Sequence, residues 1–312
     1  MMDYEKFADE AITEIRKSVG GHVAISALSG GVDSSTVTVL AHRALGEKLK
    51  TFFVDSGLMR EGEPGRVVKA FEDMGVHVDL VDAKDEFLAA LKGITEPEEK
   101  RQAVTDAFYS GVFARLVRET GARCVLQGTN LTDIEETVAG IKRQHNVLEQ
   151  LGIDPEAAYG YKVLEPLKTL RKDGVRELAR KLALPAEISE AIPFPGPALA
   201  ARIVGEVTEE RLRTVRTATA IVEQELQDSG AFQYFAVLLN DRATGMREGK
   251  REVGQIVVVR CVDSVDARTA TAVELPWEKL RMICARIVEE VADVNHCLYD
   301  LTPKPPATIE YV

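Results

Sequence analysis

Hydrophobic residues in the first half of the chain alternate between helical and strand-like patterns. Apolar residues from Phe7 to Val19 recur at near-helical spacing and predict an amphipathic opening helix. Four short apolar runs predict buried strands, and three periodic segments predict helices: strands at 22–28, 50–54, 76–81 and 123–127, and helices at 33–45, 67–74 and 96–120. Because strands that alternate with helices pair in parallel, we expect an α/β fold with a doubly wound, mostly parallel sheet.

The second half begins with a change of pattern. Residues 128–168 have mixed polarity and weak periodicity and predict a long, partly helical connection, after which 173–182 predicts a helix. Three prolines lie within residues 193–197, which neither a helix nor a central strand accommodates. We therefore expect two domains, 1–190 and 191–312.

The predicted second domain is a smaller α+β unit. Helices are expected at 208–228, with Thr208 as the N-cap, and at 277–291. Strands are expected at 232–239, 255–262, 297–301 and 307–311.

Charge and cysteine content narrow the class of partner. The 39 basic and 50 acidic residues give a net charge of −11, and the basic residues are dispersed, so we expect no nucleic-acid partner. The four cysteines lack zinc-site spacing and indicate reduced thiols. The N-terminus lacks the apolar run of a signal peptide, and no apolar run approaches the roughly 20 residues of a membrane span. We expect no membrane partner and a cytoplasmic location.

A glycine-rich loop follows the first predicted strand. Residues 29–35 read Ser-Gly-Gly-Val-Asp-Ser-Ser, between a strand and a helix. Gly30 and Gly31 permit close backbone approach to a phosphate, and the N–H groups of the first helical turn point towards it. Asp33 suits such a site if it caps the helix or works through Mg²⁺. The loop is neither a Walker A loop nor a dinucleotide fingerprint, and an ordinary glycine- and serine-rich turn is the simplest alternative.

The loop resembles the PP-loop of the ATP pyrophosphatases, which hold the β- and γ-phosphates of ATP as leaving pyrophosphate. The resemblance implies cleavage of ATP to AMP and pyrophosphate, while the acceptor remains open. It also implies an ATP-binding set drawn from three strand ends: Ser29, Gly30, Gly31, Val32, Asp33, Ser34, Ser35, Val54, Asp55, Gly128 and Thr129.

Nearly the whole chain is similar to the synthetase part of the GMP synthetases. The similarity rests on several separate segments: 53–60, Gln127-Gly128-Thr129 with Asp133 and Glu136, Ile141-Lys142 with 145–147, 165–168, Lys172-Asp173, 193–197, Arg202, 205–207, Tyr299-Asp300 and 304–310. It implies adenylation of the 2-oxygen of XMP and displacement of AMP by ammonia to give GMP. The enzyme class implied is a carbon–nitrogen ligase.

The resemblance also implies roles for individual residues. Lys142, Asp33 and Arg60 are the catalytic candidates, since the first and last can stabilise charge on the transferring phosphate. The acceptor XMP is assigned to a second set: Arg60, Arg202, Lys304, Ile309 and Glu310. The cofactors are ATP and Mg²⁺, with Asp33, Asp133 and Glu136 as metal ligands.

Each assignment has a simpler alternative. Lys142 could be a solvated surface lysine, and Asp133 and Glu136 could be acids favoured by a helix N-terminus. Asp55 could cap a turn, and Lys304 could belong to a stiff proline-rich tail.

Several positions depart from the family pattern. The departures flank the implied substrate side: Asn130-Leu131-Thr132, Gln144, 148–150, Ala191-Ile192, Ala198-Leu199, 247–249 and Tyr311-Val312. They leave open a paralogue that adenylates another oxo-substrate, and a nucleotide-binding regulator with weakened catalysis. No glutaminase segment is recognisable, so we expect a separate glutamine amidotransferase subunit or free ammonia. The family also implies a homodimer through the C-terminal domain.

Overall fold

The computed structural model describes residues 2–138, 161–265 and 267–312, and the chain divides into two compact units. The first unit comprises Met1–Asp55, Glu63–Ala83 and Phe108–Ala191, and the second comprises Ser56–Gly62, Lys84–Ala107 and Ile192–Val312. Two segments from the first half of the chain therefore belong to the second unit. Linear sequence patterns carry no trace of this, because unit membership depends on long-range contacts.

The first unit is built on a five-stranded parallel sheet. Its strands are β1 (Ala24–Leu28), β2 (Leu49–Asp55), β3 (Asp79–Asp82), β4 (Cys124–Leu126) and β5 (Lys162–Leu164), in the order β3-β2-β1-β4-β5. β1 and β2 are buried along almost their whole length, as strands covered by helices on both faces must be. The predicted doubly wound α/β fold is confirmed. The short β5 was not predicted, since three residues are too few for a periodic signal.

Nine α-helices lie in the described part of the first 191 residues. They are α1 (Tyr4–Val19), α2 (Val32–Leu45), α3 (Glu63–Asp73), α4 (Lys84–Leu91), α5 (Pro97–Asp106), α6 (Ala114–Thr120), α7 (Leu131–Val138), α8 (Lys172–Lys181) and α9 (Ala186–Ser189). α2 is mostly buried, and the apolar stripe of α1 covers one side of it.

The single long helix predicted over 96–120 is divided by a π-helical segment, Ala107–Phe113, between α5 and α6. Phe108 and Phe113 stack with ring centroids 5.7 Å apart and nearly parallel planes. Tyr109 packs edge-on against both rings. A π-turn brings residues five apart onto the same face, so aromatic packing accounts for the departure from α-helical geometry.

The second unit is an α+β structure, as predicted. A long antiparallel hairpin of β6 (Gln233–Arg247) and β7 (Lys250–Asp263) is extended by β8 (Thr271–Ala272) and by β9 (Val294–Tyr299), which runs parallel to β7. It carries α10 (Glu209–Leu226) and α11 (Trp277–Glu290). The side chain of Thr208 accepts a hydrogen bond from the Arg211 N–H, which confirms the predicted N-cap. Within the described residues, no helix of either unit has the length and apolar character needed to cross a membrane.

The strand predicted at 307–311 is wrong. This segment carries no ladder hydrogen bonds, although Ile309 is buried among Phe235, Val237 and Val258. Three prolines within 303–306 remove backbone donors just before it, so the apolar residue is buried without strand pairing.

Candidate active site

The glycine-rich loop lies at the carboxyl end of β1, where the sheet order reverses. β1 pairs with β2 on one side and with β4 on the other, so the helices that follow β1 and β4 leave a crevice between them. The loop enters α2 directly, with Gly31 as an N-cap that has no side chain to bond the first-turn amides. Those orphan N–H groups form an anion site at the positive end of the helix.

Hydroxyl groups hold the loop in shape. The Oγ atoms of Ser29 and Ser34 lie 3.0 Å apart, and the Ser34 hydroxyl donates to the Gly31 carbonyl at 3.1 Å. The Gly31 N–H points at Ser29 Oγ at 3.4 Å. Ser35 and Val32 are buried in α2 and belong to its packed face rather than to the open loop.

Two glycines are required by close contacts around the loop. Gly30 has φ +78°, and a Cβ there would lie 3.2 Å from Glu63 Oε1. A Cβ on Gly128 would lie 2.9 Å from both the Asp33 carbonyl carbon and the Ser34 nitrogen. The segment after β4 therefore touches the backbone of the first turn of α2, which brings Gly128 next to the loop.

Asp33 carries the largest perturbation in this region. Burial raises its pKa to about 6, Lys172 opposes that shift, and the neighbouring Asp133 adds to it. The Asn130 side chain and Arg176 also favour the charged form. Asp33 Oδ1 is buried and accepts no hydrogen bond from any described residue. A carboxylate oxygen shielded in this way suits a cation or a donor brought by a ligand.

Asp133 has a structural role as well as a possible metal-binding one. Its Oδ2 accepts from the Asn130 N–H at 3.2 Å, and its own N–H donates to Asn130 Oδ1 at 3.1 Å. This reciprocal pair is a capping box at the start of α7. The carboxyl of Asp33 is close enough to that of Asp133 for the charge of Asp133 to raise the pKa of Asp33, which is compatible with a shared cation. The side chain of Glu136 lies outside the described residues, among which no cluster of three or more His, Cys, Asp and Glu side chains forms a metal site.

The remaining predicted ATP-side residues also lie at strand ends of the first unit. Val54 and Asp55 are buried at the carboxyl end of β2, where the Asp55 carbonyl accepts from the Ala83 N–H at 3.0 Å. Thr129 is fully buried between β4 and α7. Lys142, together with His145 beside it, lies outside the described residues, and its role stays a prediction.

The predicted acceptor residues all belong to the second unit. Arg202 is fully buried and forms a forked ion pair with Glu310, at 3.2 Å from both Nε and Nη2. Gln233 Nε2 donates to the same carboxylate at 2.6 Å and to the Pro193 carbonyl at 3.1 Å. Arg202 Nη1 is buried and has no acceptor in the described part of the chain. The group formed by Arg202, Glu310 and Gln233 therefore has one buried donor, Arg202 Nη1, that is available to a ligand.

Two arginines and two phenylalanines form an alternating stack, which we call the Arg–Phe stack. The guanidinium carbons of Arg60 and Arg202 lie 4.0 and 4.9 Å from the centre of the Phe194 ring, and that of Arg202 lies 4.2 Å from the Phe235 ring. Arg60 is also paired with Glu223 at 2.8 Å. The stack brings Arg60 and Arg202 together although 142 positions separate them in the sequence.

Lys304 and Ile309 lie on the C-terminal segment that leads to Glu310. The Lys304 backbone pairs with Ala270, and its Nζ donates to the Ala267 carbonyl at 2.8 Å. Ile309 is buried in the core of this unit. Lys304 is half-buried and anchored by these contacts, and its role in binding the acceptor stays a prediction.

Sequence reasoning missed several residues that shape these sites. In the sequence, Gln233, Glu223 and Phe235 stand out only as parts of a predicted strand or helix, since nothing local distinguishes them. Lys100 is fully buried and donates to the Ile203 carbonyl at 2.6 Å. Burial lowers its pKa to about 8. Its position one turn before the buried Val104 was a usable signal, because a lysine there falls on the apolar face of α5.

Two family models match separate parts of the chain. The asparagine synthase family model matches residues 16–130, and the model of the GMP synthase C terminal domain matches residues 220–311. Among solved structures, an ammonia-dependent NAD synthetase from Campylobacter jejuni aligns with a TM-score of 0.48 and 17% identity, over 62% of this chain and 80% of its own.

Curated relatives match along their whole length. The chain is 51% identical to a protein of Archaeoglobus fulgidus that is named as a subunit of GMP synthase (glutamine-hydrolyzing), over 99% of this chain and 100% of that protein. The proteins of the same name from Pyrococcus furiosus and Methanocaldococcus jannaschii are 49% and 48% identical, over 99% and 100% of this chain and 97% and 100% of theirs. The chain therefore belongs to the family of these GMP synthase subunits.

Proposed function

We infer that the chain is a ligase that uses ATP to convert XMP to GMP, with release of AMP and pyrophosphate. The observation that carries this conclusion is the 51% identity to a GMP synthase subunit over essentially the full length of both chains. Neither a paralogue with another acceptor nor a regulator without catalysis is favoured by any feature of the sites.

The reaction divides into two displacements. The 2-oxygen of XMP attacks the α-phosphorus of ATP, the α–β phosphoanhydride bond breaks, and pyrophosphate leaves. Ammonia then attacks the purine C2, the C2–O bond breaks, AMP leaves with that oxygen, and the extra proton of the amine passes to solvent. Adenylation is needed because an amide-like oxygen is a poor leaving group and AMP is a good one.

The glycine-rich loop supplies the charge stabilisation for the first displacement. The first-turn N–H groups of α2 and the hydroxyls of Ser29 and Ser34 bind the leaving pyrophosphate. The Asp33 carboxylate, with Asp133 close to it, fits a Mg²⁺ ion because its buried Oδ1 accepts no hydrogen bond from the described residues. Bound there, Mg²⁺ would neutralise phosphate charge; Glu136 completes the proposed ligand set. Lys142 is proposed to act on the same phosphates.

The acceptor nucleotide is assigned to the second unit. Arg202 has a buried Nη1 without an acceptor in the described chain, which suits a carbonyl or phosphate oxygen of XMP. Glu310, held by Arg202 and Gln233, suits an N–H group of the xanthine ring. Arg60, Lys304 and the backbone at Ile309 complete the proposed set.

Partners follow from the name that the relatives share and from the chemistry. Relatives that are named as one subunit of a glutamine-hydrolyzing enzyme imply a separate glutamine amidotransferase, and we propose that it delivers ammonia. We also propose a homodimer through the second unit, supported by exposed large apolar side chains there that include Trp277 and Leu301, each 73% exposed. A cytoplasmic location fits a route that uses ATP and free nucleotides.

Pyrophosphate release from ATP and Mg²⁺ tests the assignment. The purified chain is assayed with XMP and ammonium together, then with each omitted, and GMP is measured by chromatography. We expect release only when XMP is present and GMP only when both are present. Release that is indifferent to XMP, while another oxo-nucleotide stimulates it, would establish the paralogue instead.

A further inference from the structure

A fully buried arginine on β7 holds the segment that carries the proposed acceptor-binding residues. We call residues 300–312 the C-terminal tail. Arg260 Nε donates to the Ile309 carbonyl at 2.9 Å, Nη2 to the Thr308 carbonyl at 2.8 Å, and Nη1 to the Thr302 carbonyl at 3.1 Å. Nη1 also binds Asp300 Oδ2 at 2.6 Å. All four acceptors belong to the tail.

The composition of the tail explains why a side chain, rather than a neighbouring strand, holds it in place. Prolines at 303, 305 and 306 have no N–H, so this stretch cannot be pinned by an ordinary strand ladder. In the described part of the chain, backbone hydrogen bonds tie the tail to the rest of the unit at Asp300, which donates to Val259, at Lys304, which pairs with Ala270, and at Val312, which donates to Ala201. Between those anchors the carbonyls outnumber the donors, and a guanidinium carries five donors and no acceptor.

Arg260 lies on a strand that has neighbours on both sides. β7 is the central strand of its sheet, with β6, β8 and β9 as neighbours, and Arg260 lies opposite Phe235 in the β6–β7 register. Phe235 in turn packs under Arg202 in the Arg–Phe stack. Arg260, which binds the tail, and Phe235, which packs against the Arg202 of the Arg202–Glu310 pair, are therefore opposite residues of one strand pair.

The buried charge of Arg260 is balanced locally. Asp300 lies 2.6 Å away and also accepts from the Tyr311 hydroxyl at 2.7 Å and from the Thr302 N–H at 2.8 Å. Burial alone would raise the pKa of Asp300, but these hydrogen bonds and the charge of Arg260 outweigh it, and the pKa is lowered. Asp300 therefore stays ionised at neutral pH, and its carboxylate is the counter-charge of the buried Arg260 side chain.

We propose that Arg260 is a positioning residue for the acceptor nucleotide: it fixes the tail so that Lys304, Ile309 and Glu310 present a single binding geometry. This proposal rests on the proposed function, in which those three residues bind XMP. Arg260 itself lies beneath the tail and contacts no reacting atom. A lysine cannot replace it, because one ammonium cannot reach carbonyls at both ends of the segment in the directions of a planar fork.

The test compares KM values in the intact chain with ammonium as nitrogen donor. In Arg260→Lys we expect the KM for XMP to rise about tenfold or more and the KM for ATP to change less than about twofold. In Arg260→Ala we expect the KM for XMP to rise further. Added guanidinium should lower that KM part of the way back to the wild-type value. The matched control is Arg286→Lys, which alters the ion pairs of α11 with Glu225 and Glu290 in the same unit. Both KM values should stay unchanged in that variant.

Hydrogen exchange separates failure of this proposal from failure of the proposed function. Amides of the C-terminal tail should exchange faster in Arg260→Lys, while those of α10 keep their protection. If the unmodified chain does not turn over XMP, the proposed function fails, and the exchange result still reports whether Arg260 orders the tail. Equal rises in both KM values, no change in either, or unaltered tail exchange would overturn the positioning role.

Discussion

Asp33 is the residue at which stability and catalysis oppose each other most clearly. Its pKa is raised to about 6 from 3.8, and Lys172 only partly offsets the cost of burial. A carboxylate whose burial is only partly offset by hydrogen bonds and nearby positive charge destabilises the free protein. A nucleotide with its cation would remove that cost, so the same residue that weakens the fold favours ligand binding.

Asp33→Asn should stabilise the nucleotide-free protein and abolish pyrophosphate release. Because the pKa of Asp33 is raised in the folded state, this carboxyl is protonated more fully in the folded than in the unfolded protein between about pH 4 and 6. The stability of the wild type therefore falls as the pH rises through that window. We expect the free energy of unfolding of the variant to exceed that of the wild type by about 1–3 kcal/mol at about pH 7 to 8. Below about pH 4 the two proteins should be equally stable. Denaturant unfolding across a pH series measures this.

Asp173→Asn serves as the matched control for that experiment. Asp173 is an exposed acid in the first turn of α8, where it favours the helix dipole. Its replacement should lower stability by a few tenths of a kcal/mol without altering activity. A pH-independent difference in Asp33→Asn would contradict the assigned cause.

Among whole elements, the contact between the segment after β4 and the start of α2 shapes the proposed ATP site. The sequence indicates both elements and the glycine, but not the contact. The missing Cβ at Gly128 lets one backbone lie directly on another. Conformational freedom is not the reason, since the φ of Gly128 is not in the left-handed region.

Gly128→Ala should move this segment away from the loop. The added Cβ meets backbone atoms at 2.9 Å that cannot rotate aside, so we expect destabilisation of about 1–3 kcal/mol and a raised KM for ATP. Gly65→Ala in α3 is the control, because nothing lies within 4 Å of the position. That variant should gain up to about 1 kcal/mol from helix propensity. Equal behaviour of the two variants in thermal unfolding would argue against the contact.

For the molecule as a whole, the open question is how copies of the chain associate. The second unit exposes Trp277 at the start of α11, whereas a lone apolar side chain of that size is usually covered. Leu80 on β3 is a comparable exposed residue of the first unit, 53% exposed. A substitution at Trp277 therefore tests the proposed dimer surface, and the same substitution at Leu80 is its control.

Trp277→Asp should convert the proposed dimer to a monomer. An acid at the first helical position favours the helix dipole, so loss of association would not come from melting of α11. Light scattering after gel filtration should give twice the chain mass for the wild type and for Leu80→Asp, and the single-chain mass for Trp277→Asp. A wild-type chain that is monomeric at micromolar concentration would rule out the dimer.

Local sequence patterns were enough to predict the order of most elements, the parallel sheet and the glycine-rich loop. Each of these is encoded locally, by the apolar period or by glycine and serine at a strand–helix junction. The resemblance extended the loop to a reaction, and the relatives confirm the family.

Which distant residues meet is visible in the folded structure and not in any local pattern of the sequence. Residues 56–62 and 84–107 join the second unit, Arg60 reaches Arg202 through Phe194, and Arg260 binds a proline-rich tail. The burial of Asp33 Oδ1 and of Lys100 also depends on residues that are distant in the sequence. The physical reason is common to all of them: burial and charge pairing depend on neighbours supplied by remote parts of the chain, which no local period records.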